Sequence, residues 1–257
     1  RHQLCEQVAH EIGTRDGVLI LDSSGFPKKG EKSVGVQRQW CGRLGKEENC
    51  QVGEFLGYAS PKGHTLVDGR LYLPKSWATD QERRLQAHVP KQVTFQTGWE
   101  LAYEMLRERS SLLPHQWVVG DDAYGRPVAL RERLATDGER YLLEVPSNTQ
   151  VQVDSRQGGW QTAASVADSL PTKRWTRVRT RDGEKGPIEV QAVKLRGMTR
   201  KGSGERTAAR RETLLITQRG NQRWYYLSNG RGVSVAKMTK AAACRHYVEQ
   251  SLELAKG

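Results

Sequence analysis

One stretch limits what this chain can fold into: Gly17-Val18-Leu19-Ile20-Leu21-Asp22-Ser23-Ser24-Gly25. Four apolar, β-favouring residues run into an aspartate and then into small turn-forming residues. An unbroken apolar run of that length, bounded by turn signals, predicts a strand buried on both faces. Asp22 is the first charge after the run, where the strand is expected to leave the core. A carboxylate there is either a turn residue or a group that something buried needs, most often a metal. Two later stretches weigh towards the second reading: Val118-Val119-Gly120-Asp121-Asp122 and Arg245-x3-Glu249-x6-Lys256.

With 257 residues the chain can bury one large core or two small ones. It begins at Arg1 and stops one residue after Lys256, inside an expected helix, so it is expected to be an internal piece of a longer protein. No stretch approaches the ~18 apolar residues of a membrane span, and none reads as a signal peptide. The cysteines, Cys5, Cys41, Cys50 and Cys244, form no CxxC pair, and the Cys41-x8-Cys50 spacing is not a common zinc spacing. Reduced thiols in a cytoplasmic protein are expected. The net charge of +12 points to a polyanionic partner. Residues 171–211 hold thirteen Lys/Arg against four Asp/Glu, so nine of the twelve net charges sit there. Lys173 and Arg174 belong to that excess and are candidate DNA contacts.

In chain order, Cys5, Val8 and Ile12 at helical spacing predict a helix closed by Gly13, followed by the Asp22 strand. Phe26–Gly30 reads as a turn. Ser33–Trp40, Asn49–Tyr58 and His64–Tyr72 read as further strands, making an antiparallel meander, and residues 78–95 read as polar and irregular. A helix over 97–110, a short buried strand at Gln116–Gly120, a helix over Arg126–Ala135 and a strand at Arg140–Val145 follow. From 150 the character becomes β-rich, with alternating runs at Ile188–Val193 and Glu212–Thr217, a mobile basic loop at Lys201–Arg206, and Trp224–Gly230 as a closing strand and turn. Thr239 can cap one helix running to the end. Cys244, Val248, Leu252 and Ala255 form its apolar stripe, with Arg245, Glu249 and Lys256 on another face. The order predicts an α/β, RNase H-like mixed sheet flanked by helices, with a β-rich insertion before the last helix. The expected division is 1–150 for the first part of the core, 151–235 for the basic insertion and 236–257 for the helix that completes the core.

In such a sheet Asp22 and Asp121 would emerge side by side, and the last helix could bring Glu249 to them. Like charges that close raise each other's pKa unless cations neutralise them. Oxygen-only ligands suit two Mg2+ ions, for which Mn2+ can substitute. Such a pair serves phosphodiester cleavage, which fits the basic insertion. Only one of Asp121 and Asp122 is expected to be a ligand, because neighbours at a strand end point opposite ways. Glu253, one turn beyond Glu249, competes for the third place.

The chain resembles bacterial insertion-sequence transposases with a DDE nuclease domain, and more closely the DDE superfamily endonuclease group. The resemblance rests on Leu21–Gly30, Ser33–Val36, Asn49–Gly53, Leu71–Trp77 and Val119–Gly125. Related transposases carry Tyr-x2-Arg-x3-Glu-x6-Lys on the final helix, matched here at Arg245, Glu249 and Lys256, with Ala242 at the tyrosine position. The resemblance implies that Asp22, Asp121 and Glu249 are catalytic metal ligands, with Asp121 preferred because the motif places its acid directly after the glycine. It implies that Arg245 and Lys256 contact phosphates of the transposon end. The implied activity is cut-and-paste transposition of double-stranded DNA, terminal repeats into target, by a homodimer. A cleavage-only nuclease or a domesticated DNA-binding protein is the alternative. Trp160, Trp175 and Trp224 are candidates to stack on a flipped base, with core packing as the competing role. Lys28 and Lys29, just past Asp22, are candidate phosphate contacts.

Overall fold

The computed structural model describes residues 1–153, 159–183, 186–200 and 209–255. The expected basic loop at Lys201–Arg206 and Lys256 lie outside the described residues. The chain forms two compact units: Arg1–His115 with Tyr247–Gly257, and Gln116–His246.

The first unit opens with α1 (His2–Ile12), closed at Gly13, then β1 (Val18–Pro27), β2 (Gln37–Cys41), β3 (Lys46–Ser60) and β4 (Gly63–Leu71). All of its strand pairs are antiparallel. The strands do not form the simple meander expected, because β1 pairs with β3 rather than with β2. The cause is the length of β3: its fifteen residues pair with β2 at one end and lie between β1 and β4 along the rest. The polar stretch read as irregular, 78–95, contains the end of one short helix, α2 (Lys75–Thr79), and all of another, α3 (Gln81–Gln86). Trp77 makes them possible: it is fully buried and its Nε1–H donates to the Val36 carbonyl at 2.8 Å. Asp80 caps α3 by accepting from Arg83 N–H. Then α4 (Gly98–Arg109) starts on a Thr97/Glu100 capping box and buries Leu101, Ala102, Met105 and Leu106.

The second unit begins with β5 (Trp117–Gly120), the one-turn α5 (Asp122–Gly125), α6 (Val128–Thr136) and β6 (Tyr141–Val145). The parallel β5–β6 pair makes its sheet mixed, since the remaining ladders are antiparallel. The expected β-rich insertion follows as β7 (Gln150–Val153), β8 (Gln161–Thr162), α7 (Ala163–Ser169), β9 (Thr176–Gly183), β10 (Gly186–Thr199), β11 (Arg210–Arg219) and β12 (Gln222–Ser228). It is a continuation of the sheet: β12 pairs with β6, β11 with β12, and β10 with β11. The register lines up Val145, Tyr225, Ile216 and Val193 as one cross-strand row. That row belongs to a core that α7 covers with Ala163, Val166 and Ala167.

Two helices end the chain, where one was expected. Ser234 caps α8 (Val235–Ala243) by accepting from Lys237 N–H at 3.2 Å, and Thr239 lies buried inside that helix, its hydroxyl bonded to the Val235 carbonyl. A break at Cys244 precedes α9 (Arg245–Ala255). Ala242 and Arg245, neighbours in the Tyr-x2-Arg spacing, therefore belong to different helices. No helix among the described residues is long and apolar enough to cross a membrane.

Candidate functional site

In the first unit, Val18, Leu19, Ile20 and Leu21 are at most 4% exposed, as a strand covered on both faces requires. Asp22 is not at the end of that strand. Its ladder continues to Pro27 opposite Cys50, so the small residues after Asp22 are strand rather than turn, and the carboxylate lies mid-strand at 7% exposure. Ionising so buried a group is costly without compensation. Its Oδ1 accepts from Ser23 N–H at 2.9 Å.

Alternation puts Ile20, Asp22 and Ser24 on one face of β1. Gly57 stands opposite Ile20, and Val248 of α9 occupies the room a side chain there would need: a Cβ on Gly57 would lie 3.0 Å from Val248 Cγ2. The helix carrying Glu249 thus packs on the sheet face that carries Asp22. Val248 and Leu252 are buried, whereas Glu249 and Glu253 are both exposed. On the opposite face Glu54, which pairs with Ser23, is approached by Gly98 at the start of α4.

In the second unit, Asp121 follows the fully buried β5 and caps α5, its Oδ1 accepting from Ala123 N–H at 2.9 Å. Its carbonyl accepts from Tyr124 and Gly125 N–H at 3.1 and 3.0 Å. Gly125 must be glycine, because a Cβ there would fall inside the Glu144 carbonyl of β6. Arg131 of α6 donates to the Gly125 carbonyl, so the Asp121 turn is seated against β6 and tied down from behind. Arg245 Nη1 donates to Glu144 Oε2 at 2.9 Å. Burial raises the pKa of Asp121; the positive charge of Arg245 opposes it more weakly. Hydrogen bonding from Ala123 N–H also favours the ionised form, and burial outweighs both. Asp122 is engaged elsewhere, with its Oδ2 paired to the Arg126 guanidinium one turn along.

Glu144 was not anticipated as part of this neighbourhood. Its only sequence signal is a charge inside the apolar run Tyr141-Leu142-Leu143-Glu144-Val145. A second unanticipated group lies behind it: Glu212 of β11 accepts from Arg131 Nε at 3.0 Å and from the Tyr141 and Thr199 hydroxyls, all buried.

The expected nucleic-acid contacts divide by burial. Lys28 and Lys29 are exposed on a turn that Asn49 anchors, its Nδ2 donating to the carbonyls of Lys28 and Gly30 at 2.8 and 3.1 Å. Lys173 and Arg174 are exposed on a single 3-10 turn. Trp175 is half-buried against the core beneath α7, and Trp224 is half-buried on β12. Trp160 lies under the Arg200 guanidinium, 3.9 Å from its ring centre. Asp22 and Glu249 belong to the first unit and Asp121 to the second. Among the described residues no group of three or more His, Cys, Asp or Glu stands ready to hold a metal ion.

A probable transposase for insertion sequence element IS701 from Microchaete diplosiphon is 28% identical over 162 residues. The match covers 59% of this chain and 38% of that protein, so the chain spans well under half the length of this curated relative. Among solved structures, the NurA nuclease from Sulfolobus solfataricus aligns with a TM-score of 0.39 at 10% identity, over 95% of this chain and 79% of that one. The family model described as DDE superfamily endonuclease matches residues 1–187, which include Asp22 and Asp121 and stop before Arg245 and Glu249. With that model covering well over half of its length, the chain belongs to the DDE superfamily endonuclease family.

Proposed function

We propose that this chain is the RNase H-like catalytic part of an insertion-sequence transposase, cutting double-stranded DNA at transposon ends and joining those ends to target DNA. The observation that carries the reading is the seating of two acids, Asp22 within the buried run of β1 and Asp121 directly after the buried β5. A family of endonucleases gives such carboxylates a use. Asp22, Asp121 and Glu249 are the proposed metal ligands, and their donor set of carboxylate oxygens fits Mg2+ or Mn2+. The burial of Asp121, which Arg245 and the Ala123 N–H offset only in part, fits a cation as well. Two such ions, when bound, supply activation of the attacking hydroxyl and stabilisation of the leaving oxygen.

The protein's own groups hold the donors in place. The Gly125 contact and the Arg131 bond fix the Asp121 turn, and Arg245 orients Glu144 beside it. In this reading Arg245, Lys256, Lys28, Lys29, Lys173 and Arg174 meet backbone phosphates, and Trp175 and Trp224 line the DNA side of the insertion. Residues 1–150 and 236–257 form the catalytic core, 151–235 the insertion, and two copies act on two transposon ends.

The test is cleavage of a supercoiled plasmid carrying the element ends, with Mg2+, with Mn2+ and with EDTA. Asp22→Asn, Asp121→Asn and Glu249→Gln should each lose at least about 10³-fold in rate, the equivalent of roughly 4 kcal/mol in the barrier. Asp122→Asn and Glu253→Gln should keep activity within about tenfold. Full activity in any of the first three removes that residue from the site. Nicked products without joined products would reduce the proposal to a nuclease that only cleaves.

A further inference from the structure

The second unit holds a groove of about 460 Å³ lined by Lys194, Arg196, Arg211, Thr213 and the turn Gly230-Arg231-Gly232. We infer that this groove is a binding site for the phosphodiester backbone of duplex DNA, a contact surface distinct from the carboxylates. The inference rests on the DNA-processing reading above and assigns it a second set of residues.

Strand register gives the groove its form. Lys194 and Arg196 lie two residues apart on β10 and share a face, with Leu215 and Thr213 of β11 opposite them; Arg211, opposite Met198, is on the same face. The described lining residues include four cations and no acid. Two positions along a strand span roughly 6.8 Å, about twice the 3.4 Å rise between phosphates of one DNA strand.

The groove is also held in shape. Arg196, half-buried, donates to the Thr213 hydroxyl at 3.0 Å, and that hydroxyl donates to the Gly230 carbonyl at 3.3 Å. Lys194 bonds the Val233 carbonyl beyond the turn. Asn229 fastens the turn to the start of β6, accepting from Tyr141 N–H at 3.0 Å and donating to the Glu139 carbonyl at 2.8 Å. Gly232 takes a positive φ of 68°, which lets the chain double back and leaves Arg231 exposed at the rim. A fixed turn beside cationic strands is suited to a repeating anion, and contacts of these cations to phosphates position a duplex without reading its sequence. Gly230 abuts the Trp117 ring at the beginning of β5, whereas Asp121 follows its end, so the groove can be altered without touching the acid.

The experiment is fluorescence anisotropy of a labelled random-sequence DNA duplex across a salt series. The variants are Lys194→Gln/Arg211→Gln/Arg231→Gln, all at exposed positions, and Arg231→Glu alone, with the half-buried Arg196 kept because it holds the Thr213 hydroxyl. Arg15→Gln/Arg43→Gln/Lys62→Gln removes the same charge from exposed positions of the first unit and serves as the control. Circular dichroism checks folding. Loss of the groove cations should weaken binding about tenfold or more and flatten the salt slope by roughly 2 to 3, at ~0.9 per phosphate contact. Arg231→Glu should act in the same direction, and the control should leave the slope unchanged. Equal losses in groove variant and control, an unchanged slope in the groove variant, or stronger competition by duplex RNA would overturn the assignment. Groove-dependent binding by a protein that cleaves nothing would defeat the nuclease reading and leave the groove standing. Cleavage at unchanged KM by the groove variant would do the reverse.

Discussion

Replacing Glu212 by Gln tests how the Asp121 turn is supported. Glu212 is a fully buried carboxylate facing Arg131, whose side chain is 4% exposed. It also takes hydrogen bonds from Tyr141 and Thr199, and it helps to push the buried Tyr141 phenol well above its ordinary pKa, after burial itself. Glutamine keeps the volume and removes the charge, leaving Arg131 with the Gly125 carbonyl but no counter-ion. Breaking a buried ion pair from one side costs about 3–5 kcal/mol. At about 2–4 °C per kcal/mol for a protein of this size class, a loss of about 4 kcal/mol lowers Tm by roughly 8–16 °C. Arg131→Met, which strands Glu212 instead, should cost a similar amount. If the residues form one unit, the double variant Arg131→Met/Glu212→Gln should be no less stable than the less stable single variant. The coupling would then be at least about 4 kcal/mol, above the ~0.5–3 kcal/mol usual for residues in contact. Urea unfolding read by circular dichroism measures the three losses, with unchanged m-values required. Hydrogen exchange at Tyr124 and Gly125, which bond to the Asp121 carbonyl, should accelerate in Glu212→Gln. Additive losses in the double variant, or unchanged exchange in that turn, would refute the idea that Glu212 acts through Arg131 on the site.

Gly125→Ala should destabilise the second unit by more than about 2 kcal/mol and abolish cleavage, because the added methyl has no room against β6; retained activity would show that the seating is unimportant. Gly57→Val should push on Val248, costing about 1–3 kcal/mol by chemical denaturation and lowering activity through α9. Cys50 is fully buried, and its thiol is pushed up to about 11 by burial and then by Cys41. At pH 8 only about one thiol in 10³ is ionised, so mass spectrometry should find Cys50 unalkylated until the protein unfolds. A raised thiol pKa contributes stability below the ordinary value of 9.0 that is lost as pH rises through about 11, so Tm should fall over that window and fall less in Cys50→Ala.

Much of the fold was legible because its strongest signals are local. The apolar run before Asp22 and the helical stripe ending in Leu106 report burial directly, whereas the alternation expected at Glu212–Thr217 is replaced by burial on both faces of β11. What escaped depends on distant partners. Ser23 to Pro27 look like a turn, yet β3 is long enough to hold them in its ladder. Residues 75–86 look irregular, and their helices depend on a tryptophan anchored to Val36. The break at Cys244 leaves no mark in the spacing of Val248 and Leu252, because a single interrupted residue hardly shifts a helical stripe. The strands that supply Asp22 and Asp121 were legible for the same local reason. Glu144, Glu212 and the groove cations were not, since the first two are single charges that gain meaning only from a register. Arg231, outside the basic stretch, joins Lys194, Arg196 and Arg211 only when β12 returns beside β11.

The continuity of the second unit's sheet has a mechanical consequence. A duplex gripped on β10 and β11 pulls on Asp121 through hydrogen-bonded ladders rather than through a hinge. Tension passes from β11 to β12 over Thr213–Arg219, from β12 to β6 over the shorter Leu142–Val145, and from β6 to β5 over Val118–Gly120. Pull along the strands loads each ladder in shear, with its bonds sharing the force; pull across them peels the bonds one by one. The three-pair β5–β6 ladder, the shortest on this path, is the first to yield, so the direction in which DNA leaves the inferred groove would set how much load the turn bearing Asp121 can withstand.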